Sequence, residues 1–258
     1  DFNIPFMSDN LGGMTVLGTQ LFPNRLFLDF STGSPLPTPV SGTPSTEATN
    51  KISGPFNNMG VPGAKSYHIP FLGYGSLAGL QVGAANPFFV RFSSGETASI
   101  LGDALAQGPT FFTLWIGSND VLGYATSGGT GVDQTGNTDV RTYGSNDISD
   151  PQVVGASLDG ILASLAGVGA KGVVANIPNV TKIPFFTAVP FAPLDPTDPD
   201  FGPLIPVLNE QIFAGLNQAF AFLGVPERSI VFNTDSASAL VIKDENLADL
   251  SAQITQVL

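Results

Sequence analysis

The chain has 258 residues, 43% hydrophobic and only 12% charged, enough to bury one substantial core or two small ones and too apolar for a disordered chain. Its net charge is −12 and its nine Lys and Arg are scattered singly, so no basic patch neutralises phosphates; this excludes nucleic-acid binding and disfavours anionic membrane surfaces. With no cysteine, disulfides, thiolate metal sites and Cys nucleophiles are excluded as well.

From the N-terminus, "RLFLDF" (25–30) reads as a strand, and "STGSPLPTPVSGTPSTEATN" (31–50) as an exposed Pro/Ser/Thr-rich loop. "FNNMGVPGAKS" (56–66) is rich in turn residues. "SGETASILGDALAQGP" (94–109) has Ile100, Leu101, Ala104 and Leu105 at helical spacing, with Ser94 as its expected cap and Gly108-Pro109 as its stop. "TFFTLWIG" (110–117) follows without polar alternation, as expected inside a parallel sheet. The stretch 126–150 is almost free of apolar residues and reads as a long polar loop. A helix is predicted from Asp150-Pro151, with a stripe through Val153, Val154, Ser157, Leu158, Ile161, Leu162 and Leu165 and a stop at Gly169 and Gly172. "GVVANIP" (172–178) is a short strand of buried type, and 185–203 carries too much Pro for regular structure. A helix over 204–223, a strand "SIVF" (229–232) and a helix over 245–258 complete the pattern.

Alternating helices and strands predict an α/β domain with a mostly parallel sheet, in which ligands bind at the carboxyl ends of the strands. Residues 117–120, "GSND", lie at such an end, as do Asn176 to Asn179. The longest apolar run, "ILASLAGVGAKGVVANI", is interrupted by Lys171 and falls short of the roughly 18 residues of a spanning helix. Few charges and a pI near 4.1 suit a secreted or surface protein.

Two short stretches carry the chemistry. Asn119 can donate its side-chain amide to a developing oxyanion, or Ser118, Asn119 and Asp120 can simply cap a helix. In "NNMGVPGAKS" (57–66) the Pro fixes one φ and Gly63 lets the backbone turn with its N–H unshielded, which suits an oxyanion hole or an ordinary Pro-Gly turn.

Together and in this order, the two stretches resemble blocks of the SGNH, or GDSL, family of serine ester hydrolases. "GVPGA" is similar to the second block, whose Gly (Gly63 here) supplies a backbone donor. "IGSND" is similar to the third, whose Asn (Asn119 here) supplies a side-chain donor. The text from "NNMGVPGAKS" through "TFFTLWIGSNDVLGYATSGG" to "GAKGVVANIPNVT" more narrowly resembles Bacteroidetes SGNH hydrolases, many of them outer-membrane or secreted lipoproteins. The resemblance implies a three-layer α/β/α sandwich of flavodoxin-like type with long loop insertions, and a Ser nucleophile assisted by an Asp-x-x-His pair. It further implies an ester or lipid substrate, no cofactor and no metal. The location implied is extracellular or on a bacterial outer-membrane surface, anchored through a lipidated N-terminus outside this chain or held by a protein partner.

The departures are specific. No Gly-Asp-Ser-Leu or Gly-Asn-Ser-Leu precedes residue 57. "GYGSLAG" (73–79) has Tyr-Gly where the acid or amide belongs and follows the second block, so Ser76 is rejected as nucleophile. No Gly-x-Ser-x-Gly elbow occurs anywhere. The single histidine, His68, sits five residues beyond Gly63 rather than near the C-terminus, and is expected to be a loop or packing residue. We therefore expect residues 1–258 to be one SGNH-like domain, incomplete at both ends, with the nucleophile and His base in flanking polypeptide. The alternative is a catalytically inactive binding or assembly subunit.

Three weaker readings stay open. Asp133, Asn137, Asp139, Asn146, Asp147 and Asp150 offer oxygens for Ca²⁺, without EF-hand spacing, or else a solvated loop. "IPFFTAVPFAP" (183–193) could line an acyl pocket or pack over a sheet edge. "NVT" (179–181) matches a glycosylation acceptor and says little in a bacterial-type protein.

Overall fold

A computed structural model describes residues 2–31, 33, 35–188, 192–241 and 247–258. The chain divides into two compact units, residues 1–180 and 181–258.

In the first unit, β1 (Met14–Val16) and β2 (Thr19–Phe22) form an antiparallel hairpin. Its two-residue turn holds Leu17 and Gly18 at φ of 51° and 80°, the doubly left-handed geometry that matches strand twist. The Glu47 carboxylate steadies that turn by accepting the N–H groups of Leu17 and Gly18 at 3.0 and 3.1 Å. A second hairpin joins β3 (Leu26–Asp29) to β4 (Leu36–Pro39), so part of the stretch expected as loop over 31–50 is a strand. Pro37 and Pro39 are tolerated because a two-stranded ribbon consists only of edges, where a missing N–H costs little.

The first three helices of this unit are short and individually capped. Ser76 caps α1 (Leu77–Leu80), Asn86 caps α2 (Pro87–Val90) and Ser99 caps α3 (Ile100–Ala106). The expected cap, Ser94, instead donates its N–H and hydroxyl to the carboxylate of Asp103. The helix therefore starts five residues later than the Ser94 reading, at the Ser nearer its first apolar residue. Around these helices sits the core: Ala64, Tyr74, Phe89 and Ile100, packed by Met59, Val61, Ile69, Phe92 and Ala98. Phe89 is fully buried, and burying such a side chain stabilises the fold by about 1.5–3 kcal/mol. This core underlies the Gly-Val-Pro-Gly-Ala turn.

β5 (Phe111–Leu114) and β6 (Lys171–Val174) are parallel, with Phe111 opposite Lys171. Between them run α4 (Asn119–Thr126), the polar loop and α5 (Pro151–Gly167). Asp150 caps α5 by accepting from the N–H groups of Gln152 and Val153, Pro151 opens it, and Gly169, at φ 81°, ends it. Ile161 and Leu165 are its buried stripe. The burial expected of both strands fails: Phe111 is 61% and Trp115 70% exposed, and β6 is exposed throughout. The reason is topological. A ribbon of two strands has an open edge on each side, whereas burial of a parallel strand requires flanking strands and helices on both faces.

In the second unit, helical chain runs through α7 (Ile205–Val207), a π-helical turn at Leu208–Ile212 and α8 (Phe213–Phe222). α6 (Pro184–Thr187) precedes this run, and α9 (Ser251–Val257) closes the chain. α6 and a 3-10 turn at Gly202–Leu204 bracket the Pro-rich stretch, of which 189–191 lie outside the described residues. The start of the helix expected over 245–258 does so too, and the helix observed begins at Ser251. "SIVF" is not a strand. Asn217 both donates to Ile230 O and accepts from Ile230 N, and Asn209 does the same for Phe232, each bond 2.8–2.9 Å. Two side-chain amides thus occupy the backbone positions that a neighbouring strand would use. The rings of Phe201 and Phe213 pack edge-on against Phe232 at 5.7 and 5.8 Å.

The architecture is mixed α/β. No helix among the described residues is long and apolar enough to cross a membrane.

Candidate functional site

The site is built where the turn after β5 meets the Gly-Val-Pro-Gly-Ala turn. Gly117 adopts φ 106°, a conformation L side chains rarely take, and a Cβ there would lie 2.5 Å from Ile177 Cδ1. The close approach that requires Gly117 is thus made by Ile177, just past the end of β6. α4 begins at once with Asn119 and Asp120.

Ser118 precedes the helix but its side chain makes no cap bond. Asn119 and Asp120 do not cap either; both reach back across the chain. Asn119 Nδ2 donates to Ala64 O at 2.9 Å, spanning 55 residues of sequence. Asp120, 1% exposed, accepts from Ser66 N at 2.8 Å through one oxygen and from Ser66 Oγ at 2.9 Å through the other. Its own carbonyl accepts from Ser149 N at 2.9 Å. The residues expected to act together are therefore brought together: Asn119 binds the residue that follows Gly63.

Gly63 lies at the surface with φ 76°, and nothing stands within 4 Å of where its Cβ would be. Conformation, not crowding, demands glycine here. Its N–H has no partner among the described residues. An amide nitrogen carries two N–H donors, and Ala64 O uses one of those on Asn119. A backbone N–H without a partner among the described residues and an amide with a second N–H thus belong to segments joined by the bond from Asn119 to Ala64.

Behind the donors lies a polar and aromatic layer. His68 Nδ1 accepts from Lys65 N at 3.1 Å and lies 3.2 Å from the Tyr74 hydroxyl. Asn86 Nδ2 in turn donates to that hydroxyl at 3.2 Å and to Pro62 O at 2.9 Å. The imidazole stacks on Tyr74 with ring centres 4.6 Å apart. Burial, then the nearby Lys65 charge, pushes the His68 pKa down to about 4, so the ring is neutral at pH 7. Because Nδ1 accepts the Lys65 amide hydrogen, the neutral ring carries its own proton on Nε2 and has no free lone pair to deprotonate a hydroxyl. Burial, and next the Asp120 charge, raises the Tyr67 phenol well above its ordinary range.

Sequence reasoning missed Ser66 and Lys65, and singled out Asp147 only for its carboxylate in the polar loop, not for the carbonyl that holds Lys65. Lys65 is buried, its ammonium donating to Asp147 O at 2.8 Å. The only available signal is its position inside "GAKS", between small residues.

Other candidates fall elsewhere. Ser76 Oγ accepts from Gly79 N and donates to Glu96, as a helix cap does. The carboxylates of the 126–150 loop are engaged by the loop itself. Asp133 binds Thr135, Asp139 binds Arg141, and Asp150 binds Gly136 and the α5 terminus. Asp147 binds Val132, Gly144 and Gln134. Among the described residues no group of three or more His, Cys, Asp or Glu could hold a metal ion. No protein-family model, curated protein or solved structure matches the chain.

Proposed function

We propose that the chain carries the oxyanion-binding part of an SGNH-type serine ester hydrolase, with Gly63 N–H and the second Asn119 N–H as donors to the tetrahedral oxyanion. The observation that carries this reading is the bond from Asn119 Nδ2 to Ala64 O, 55 residues upstream, which ties a side-chain donor to the residue after Gly63, whose own N–H is unengaged among the described residues. Such donors stabilise charge that develops only in the transition state, and they need a rigid seat to do so. The Ser66–Asp120 pair supplies that seat.

In this reading the parallel pair β5–β6 is the exposed part of a three-layer α/β/α sandwich. The Ser nucleophile and His base come from polypeptide outside the 258 residues, since His68 is committed to its Nδ1 partners. The substrate class is a carboxylic ester, of a lipid or an acylated glycan, at an extracellular or outer-membrane surface. The test is labelling of the native polypeptide with a fluorophosphonate probe. One adduct per chain, with hydrolysis of p-nitrophenyl esters, is the expected result; no adduct and no turnover would overturn the assignment.

A second reading, a non-catalytic binding or assembly subunit, draws on a separate observation: Phe111 and Val173 on the β5–β6 ribbon, and Trp115 just past β5, are all more than half exposed. Surfaces of that kind mark contact with other protein. The same labelling experiment separates the two.

A further inference from the structure

Lys65 is 5% exposed, yet no carboxylate pairs with it: the ion pair found among the described residues is Arg141–Asp139. Its ammonium is held by backbone carbonyls instead, Asp147 O at 2.8 Å and Gly144 O at 3.4 Å, about eighty positions along the chain. Burying an ammonium is costly unless the fold uses the bonds it makes. The backbone around Lys65 is the candidate site itself. Ala64 O receives Asn119, Ser66 is clamped by Asp120, and Gly63 lies two residues before Lys65.

On the far side, the Asp147 carboxylate gathers the polar loop, accepting from Val132 N at 2.9 Å, Gly144 N at 2.7 Å and Gln134 Nε2 at 2.6 Å. The two limbs of the loop touch so closely that a Cβ on Gly131 would fall 1.9 Å from Asn146 O. Tyr143 packs edge-on against Tyr67, with ring centres 5.6 Å apart. A stretch with almost no apolar side chains is folded by its own polar groups, and its C-terminal limb is tied to the site through Lys65.

We propose that Lys65 is a positioning residue that rivets the 129–150 loop to the Gly63–Ser66 turn, making this loop a fixed wall beside the oxyanion donors. The rivet rests on the geometry alone; its consequence for ester turnover rests on the function proposed above. Two ties act in the same direction, Tyr67–Tyr143 and the Asp120 carbonyl to Ser149 N, so loosening the loop is transmitted to the turn and loosening the turn to the loop.

The test is amide hydrogen exchange of the full chain, read on peptides covering 60–68 and 129–148, with the distal half of α5 as control. Lys65→Met is expected to speed exchange in both peptides by on the order of tenfold while the control is unchanged, and Lys65→Arg to restore part of the protection. Asp147→Asn approaches from the other side, weakening the loop without touching the turn, and is expected to speed exchange in 60–68 as well. In the native polypeptide, Lys65→Met is expected to lower kcat by about tenfold with KM within about twofold, as when only transition-state contacts are displaced. Exchange confined to 129–148 in either variant, or no change in both, would overturn the rivet. Coupled loosening in a protein without esterase activity would support the rivet and overturn the hydrolase reading instead.

Discussion

Asp120 ties the start of α4 to the Gly63–Ser66 turn. It is almost fully buried, and its two oxygens take the N–H and the hydroxyl of Ser66 separately. Replacing it with Ala leaves both groups buried without a partner, which costs on the order of 3 kcal/mol. Asp120→Ala is thus expected to lower stability in urea by about that amount, and Ser66→Ala by about 1 kcal/mol. Additive losses in the double variant would show that the pair does not form. His68 supplies a pH dependence with a definite sign. Its folded-state pKa is depressed from 6.5 to about 4 by burial and by Lys65. Between those values the unfolded chain binds the extra proton, so His68's contribution is complete above pH 6.5 and is lost as pH falls toward 4. An NMR titration of the His68 ring should give a midpoint near 4; a midpoint near 6.5 would mean an exposed, unstacked imidazole.

At the scale of elements, legibility followed how local the determining interactions are. α5 was readable because its signals lie within one turn of its ends: Asp150 on two amide groups, Pro151 behind it, and Gly169 at positive φ. Asp150→Ala is expected to cost about 1–2 kcal/mol in thermal or urea unfolding, since the cap is lost together with the bond to Gly136 N; a loss under a few tenths would mean that α5 is held by packing alone. Two serines compete as caps upstream of α3, and composition does not choose between Ser94 and Ser99; the nearby Asp103 does, by binding Ser94 itself. β4 was hidden by its prolines, whose tolerance depends on being an edge, a fact of pairing rather than of sequence. "SIVF" has strand composition, but Asn209 and Asn217 occupy its backbone from a distance no periodicity reveals. The candidate site divides in the same way. Gly63 and Asn119 stand out in short motifs, whereas the buried partners that seat them, Ser66 and Lys65, look like ordinary turn residues.

At the scale of the whole molecule, the most telling feature is the uncovered β5–β6 ribbon, with the single tryptophan of the chain immediately after β5 and 70% exposed. Fluorescence of the 258-residue chain is therefore expected to be red-shifted and readily quenched by acrylamide. The same tryptophan should become blue-shifted and protected if further polypeptide completes the sheet; unchanged emission in the native polypeptide would argue against the three-layer sandwich. The turn after β5 and a turn 55 residues upstream meet through Asn119 and Ala64, and under the proposed function they bind an oxyanion there. The most direct test is the turnover of Asn119→Ala in the native polypeptide, measured with its melting temperature. The expected result is a fall of about 10² to 10³ in kcat, the usual cost of one oxyanion donor, with stability lowered by only about 1 kcal/mol through loss of the bond to Ala64 O. Turnover close to that of the unaltered protein would contradict it.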